Sequence, residues 1–105
     1  MRGVPLAAIV VAAASAWRVR PMSLLYDRSR TRHVAMAREV ALWLAVGISG
    51  LTIVEIAHRM RCAPAAVARA TAEVQRDVRA LPAFAATCYA IERELLDALD
   101  AREAA

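Results

Sequence analysis

Arginine is the commonest side chain with chemistry to offer in this chain. All fourteen basic residues are arginine and none is lysine. Three alternate in the run Asp27-Arg28-Ser29-Arg30-Thr31-Arg32-His33, and Arg59, Arg61 and Arg69 flank a short turn further on. A guanidinium keeps its charge and presents a planar fork of N–H donors that fits phosphate oxygens. Such residues could hold a polyanion. An alanine-rich chain favours arginine over lysine when its genome is GC-rich, so the count alone argues little. The distribution says more. Residues 1–80 hold twelve arginines against Asp27, Glu39, Glu55, Glu73 and Asp77, a net +7, whereas residues 81–105 hold Arg93 and Arg102 against five acids, a net −3. A basic body with an acidic tail suits a polyanionic partner, the alternative being a solvated charged surface.

Other chemistry is sparse. Cys62 and Cys88 lack metal-ligand spacing and are too few for a disulfide framework, so they read as free thiols of a reducing compartment. Cys62 has Arg59, Arg61 and a helix start nearby, surroundings that lower a thiol pKa; a structural thiol is the plainer reading. His33 and His58 are too distant in sequence to suggest a metal pair and read as surface residues. No Ser/His/Asp set, paired carboxylates or G-x-x-x-x-G-K-[ST] loop is present. The expectation is a protein that is not an enzyme and uses no cofactor or metal. The 105 residues suffice for one modest core.

The elements that must position the arginines are helical, since alanine dominates and alternating β-branched runs are missing. The stretch from Leu51 to Val67 organises the rest. Thr52 and Glu55 form the S/T-x-x-E pattern of a capping box, and Leu51 with Ile56 provides a hydrophobic staple. A first helix of about two turns should reach Met60. Pro64 suits the first position of a second helix, where its missing N–H is no loss. Two helices joined by a tight turn make a helix-turn-helix.

Upstream, residues 5–16 read as a helix from Pro5 with Ile9, Val10 and Ala13 inward. The same run also fits a short signal peptide with an A-x-A-like site at Ala14–Ser15–Ala16, and it is too short to span a membrane. Pro21 opens a helical turn through Leu24 and Leu25. A helix from Thr31 to Val46 buries Val34, Ala37, Val40, Ala41 and Leu44, turns Arg38 outward, and stops between Gly47 and Gly50. Downstream, the helix opened by Pro64 continues to Ala80 with a stripe of Val67, Ala70 or Thr71, Val74, Val78 and Leu81. Its outward side carries Ala65, Ala66, Arg69, Glu73 and Arg76, with Arg69 and Glu73 spaced to pair. Pro82 breaks the run. A last helix to Ala101 carries Phe84, Cys88, Ile91, Leu95 and Leu99 on one side and Glu92, Arg93, Asp97 and Asp100 on the other.

Residues 4–79 resemble the C-terminal DNA-binding domain of the bacterial replication initiator DnaA. Leu24-Leu25 followed by S-R-T-R is similar to the family's LL…SRxR basic loop. Ala37 to Ala45, A-R-E-V-A-L-W-L-A, is similar to its AR-Q-I-A-M-Y-L-A helix, with Trp43 in the aromatic place. Leu51-Thr52-x-x-Glu55-Ile56-Ala57 is similar to its S-L-P-E-I-G helix start. The resemblance implies an all-α bundle containing a helix-turn-helix of the TrpR or DnaA type. It places Arg30 and Arg32 in a basic loop along the DNA and Arg38 near phosphates. Where the family reads bases with Arg-Asp-His-Thr-Thr, this chain has Cys62-Ala63-Pro64-Ala65-Ala66, after a turn one residue shorter that lacks its glycine. Alanine can touch a thymine methyl but makes no bidentate hydrogen bond to a base.

These readings combine into one expectation. Residues 1–80 form the helix-turn-helix domain, and residues 81–105 an acidic amphipathic helix packed on it or on a partner. The function expected is binding of double-stranded DNA, in regulating replication or transcription, mainly through phosphates. The contact residues are Arg28, Arg30, Arg32, Arg38, Arg61, Pro64, Ala65, Ala66 and Arg69. The alternative is a helix-turn-helix scaffold that associates with a protein partner, or with its own copy, through the 82–101 helix. The location expected is the cytoplasm, at the nucleoid, with no membrane partner.

Overall fold

The computed structural model describes residues 3–27 and 31–104, and among these it is all-α, with six helices and no strand. They are α1 (Leu6–Ala16), α2 (Pro21–Tyr26), α3 (Arg32–Ile48), α4 (Ile53–Arg59), α5 (Pro64–Ala80) and α6 (Pro82–Ala104). Proline opens α2, α5 and α6 and stands at the N-cap of α1, positions where its fixed φ suits the helix and its missing N–H costs nothing. α3 is central. It packs on α1, α2, α4, α5 and α6, and Ala37, Val40, Ala41, Leu44 and Ala45 on it are fully buried. Alanine at these positions lets neighbouring helices come close.

The core is continuous from Val4 through α1, α3 and α5 to Cys88, Ile91 and Leu95 of α6. Residues 6–16 thus form a helix whose Ile9, Val10, Ala13 and Ala14 are core residues. No helix among the described residues is long and apolar enough to cross a membrane. Two aromatic contacts tie α6 down: Phe84 tilts against Trp17 at 6.3 Å between ring centroids, and Tyr89 meets Trp43 edge-on at 6.0 Å. The Trp43 indole N–H also donates to Gln75 Oε1 at 3.2 Å, joining α3, α5 and α6 at one point.

The capping box forms as its spacing demands. Thr52 Oγ1 accepts from the Glu55 N–H at 3.1 Å, and Glu55 Oε1 accepts from the Thr52 N–H at 2.9 Å. That backbone donor is the first reason the Glu55 carboxyl lies below its ordinary value. Leu51 and Ile56 both join the core, as a staple requires.

Three details differ from the sequence reading, each for a physical reason. α3 runs through Gly47 to Ile48, so Gly47 is helical and the stop falls at Ser49 and Gly50. Ser49 Oγ donates to the Ala45 carbonyl at 2.6 Å and accepts from the Leu51 N–H at 3.1 Å, and Gly50 takes φ 76°. Leu81 falls at the C-cap of α5 with extended backbone and is 52% exposed, outside the core stripe. Arg69 and Glu73 do not close an ion pair; on α5 the pair within 4 Å is Arg76–Asp77, 3.6 Å apart and well exposed, a geometry that contributes little.

Candidate nucleic-acid interface

α4, the turn and α5 form the helix-turn-helix, and the turn is made by an unusual residue. Arg61 adopts φ 59°, the left-handed conformation that glycine ordinarily supplies after a helix. Its N–H reaches the His58 carbonyl at 3.3 Å, and the next N–H, of Cys62, reaches the Ala57 carbonyl at 3.0 Å. These two bonds are the Schellman pattern that satisfies a helix's last carbonyls. The missing glycine is thus replaced by a strained arginine, at about 1–2 kcal/mol. The α1 terminus repeats the device with Arg18, φ 56°, its N–H on the Ser15 carbonyl and that of Val19 on the Ala14 carbonyl. The Arg61 side chain crosses to α2, where its guanidinium lies 4.6 Å from the Tyr26 ring centroid. A cation over an aromatic face recovers about 0.5–1 kcal/mol, and the contact holds the turn against the helix that precedes the basic run.

The predicted contact residues separate into three groups. Arg28 and Arg30 lie outside the described residues. Arg61, Pro64, Ala65 and Arg69 are exposed around the turn and the first turns of α5, and Ala66 is half-buried beside them. Arg32 is exposed too, but as the first residue of α3 rather than in a loop. Arg38 has a different place from the outward one its spacing suggests. It is half-buried, and its Nε donates to the Leu24 carbonyl at 3.0 Å while Nη2 donates to the carbonyls of Ser23, at 3.2 Å, and Asp27. The Leu24 carbonyl lies in the last turn of α2 and the Asp27 carbonyl just past its end, while the Ser23 carbonyl also accepts from the Asp27 N–H. Arg38 therefore caps α2 and fixes where the chain leaves it for the basic run.

Two arginines of the face were not singled out as contacts. α5 exposes Pro64, Ala65, Ala68, Arg69, Ala72, Arg76, Arg79 and Ala80. Arg69, Arg76 and Arg79 follow one another at seven and three residues, so they rise along one side with the alanines between them. Helical spacing from Arg69 alone would have found Arg76 and Arg79. The start of α5 has Ala63 at its N-cap with no side-chain cap. Pro64 has no N–H and the Ala66 and Val67 N–H groups donate to the Ala63 carbonyl, so the Ala65 N–H is the donor left at the positive end of the helix dipole.

The acids of α5 sit to one side. Glu73 and Asp77 are half-buried toward Glu39 of α3. Burial first, then these two carboxylates, raises the Glu39 pKa above its ordinary value, against the opposing pull of Arg69 and Arg38. A groove of about 160 Å³ between α3 and α5 holds Arg38, Glu39, Arg69 and Glu73 together with Cys62 and Ala66. Cys88 is buried, and burial pushes its thiol up to about 11, leaving it an unreactive core residue. Compared with known proteins, the chain matches no family model and no curated sequence.

Proposed function

We propose that this chain is a DNA-binding protein of helix-turn-helix type, acting in regulation of replication or transcription, that grips duplex DNA mainly through phosphates. One observation carries the reading: α5 exposes Arg69, Arg76 and Arg79 along one side, while its acids Glu73 and Asp77 are less exposed and set to the other. The small side chains of Ala65, Ala68 and Ala72 let the helix approach a groove closely, while Arg69, Arg76 and Arg79 reach the backbone on either side. The uncapped α5 start offers the Ala65 N–H to a phosphate, and Arg32 and Arg61 add charge at the flank. The resemblance of residues 4–79 to the DnaA domain supports the same reading. Base readout is weak in this arrangement, because alanines offer methyl contact and no bidentate hydrogen bonds, whereas phosphate contacts position without specifying.

Fluorescence anisotropy tests it with two duplexes, one carrying the DnaA family's binding box and one scrambled, across several salt concentrations. Both should bind within about tenfold of each other, with log K falling against log[salt] at a slope of about −4 to −5 for four to six neutralised phosphates. Arg76→Ala with Arg79→Ala should weaken both duplexes alike and reduce the slope by roughly two. A preference for the box above a hundredfold would refute the weak readout.

A second reading, protein association without DNA binding, is favoured by the half-buried Glu39, Glu73 and Asp77 beside the arginine face and by the exposed Tyr89 and Leu96 of α6. Absence of DNA binding at low salt would select it.

A further inference from the structure

Two of the exposed apolar surfaces differ in the charges around them. The first is a hollow of about 390 Å³ between α1, α2 and the end of α4, with Leu6, Val10, Val11, Met22, Leu25 and Met60 in its lining. Val11 and Met22 are 54% and 59% exposed there. Neither α1 nor α2 carries a charged residue. The one charged residue in its lining is Arg59, with Glu55 a turn away on α4, and exposed Arg18 and Arg20 precede the lining residue Pro21 in the connection between α1 and α2.

The second surface is one edge of α6. Tyr89 and Leu96, 49% and 36% exposed, are two turns apart and share that edge. Glu92, Asp100 and Glu103 fall on it as well by steps of three and four residues, with Arg93 beside them. An apolar row flanked by acids is the chemical complement of an apolar hollow flanked by arginines.

We propose that the α6 edge of one copy docks into the α1–α2 hollow of a second copy, Leu96 entering it and the exposed side of Tyr89, whose other side packs on Trp43, lying against its rim, while the acids of the edge face Arg59, Arg18 and Arg20. From Tyr89 to Glu103 the edge runs about 21 Å, against about 16 Å for α1, so it can lie along the whole hollow. The two surfaces differ, so the contact is head-to-tail, and each copy both gives and receives. Exposed Val11, Met22, Tyr89 and Leu96 are the anchors, and the charges set orientation and salt dependence. The association requires no DNA and stands apart from the DNA-binding reading.

Sedimentation equilibrium of the full chain without DNA is the test. Association should deepen with protein concentration and weaken as salt is raised. Met22→Glu spoils the hollow and Leu96→Glu spoils the edge; both positions are on the surface, and circular dichroism checks that each variant keeps its helices. Each alone should associate about tenfold more weakly or worse. Each also keeps one intact surface, so mixing the two should restore a 1:1 pair that grows no further. Arg59→Glu, a second hollow variant, should show the same loss at low salt. A wild-type chain that stays monomeric at every concentration overturns the proposal. So does a mixture that stays monomeric, or variants that associate as the wild type does.

Discussion

Arginine does three different jobs in this chain, and position along the helices decides which. Arg69, Arg76 and Arg79 are exposed on the outward side of α5, Arg76 within 3.6 Å of Asp77; Arg38 is committed to three carbonyls at the end of α2; Arg18 and Arg61 close helix ends in the left-handed conformation. Only the first group could be found from periodicity. The Arg38 bonds join residues eleven to fifteen apart, a tertiary relation that no helical spacing encodes. The carboxylate opposing this face is Glu39, and its titration can be followed. Its folded pKa lies above the ordinary 4.5 because of burial and the neighbouring Glu73 and Asp77. The folded chain then binds a proton more tightly than the unfolded one, so Glu39 lowers stability as pH rises from its ordinary value through its raised one, and the full cost persists at neutral pH. Glu39→Gln should therefore be more stable at neutral pH, by under about 1 kcal/mol once solvent screening is counted. The difference should vanish below about pH 4, where the unfolded carboxyl is protonated as well. Urea unfolding across pH measures it, and identical pH profiles for the two proteins would refute this account of Glu39.

At the scale of elements, two glycines near the end of α3 have opposite roles. Gly47 lies within α3, and a Cβ added there meets nothing within 4 Å. Gly3 sits against the other side of the α3 terminus, where an added Cβ would lie 2.0 Å from the Ser49 carbonyl oxygen. That close approach lets the Val4 N–H donate to the Ile48 carbonyl at 2.8 Å and buries the Val4 side chain. Gly47→Ala should stabilise by about 0.5–1 kcal/mol through helix propensity. Gly3→Ala should release the N-terminal segment and cost about 2–4 kcal/mol, from one hydrogen bond and one buried valine. Denaturant midpoints of the two variants should therefore move in opposite directions, and a shift of the same sign in both would contradict the packing of residues 3–4 on α3. This pair also shows what could be read from sequence alone. The starts of α2, α4, α5 and α6 were legible because proline and the Thr52–Glu55 box act locally. The stop of α3 falls between Gly47 and Gly50 as expected, but two residues past Val46, because its signals, Ser49 bridging Ala45 to Leu51 and Val4 capping Ile48, include a partner from the far end of the chain.

For the molecule as a whole, the question is whether the 81–105 segment is an appendage to a helix-turn-helix domain or part of what makes the domain fold. Charge suggests an appendage, since the segment is acidic and the rest basic. Packing argues the opposite. Cys88, Ile91 and Leu95 are buried in the same core as Ile9, Val40 and Val74, and α6 packs on α1, α3 and α5. Removing three buried side chains of this kind, at about 1.5–3 kcal/mol each, forfeits roughly 5–9 kcal/mol, before counting the Trp17 and Trp43 faces that Phe84 and Tyr89 cover. A domain of this size has about 5–15 kcal/mol in total. A chain cut after Leu81 should therefore lose most or all of its cooperative unfolding and show reduced helicity in circular dichroism. Any loss of DNA binding by that fragment would follow from the collapse of the face formed by α3 and α5. The surface variant Leu96→Glu separates the two effects, because it leaves Cys88, Ile91 and Leu95 in place and should keep both fold and salt-dependent DNA affinity. If the truncated chain unfolds with an undiminished midpoint, residues 1–81 hold a self-sufficient core and α6 is free to serve association alone.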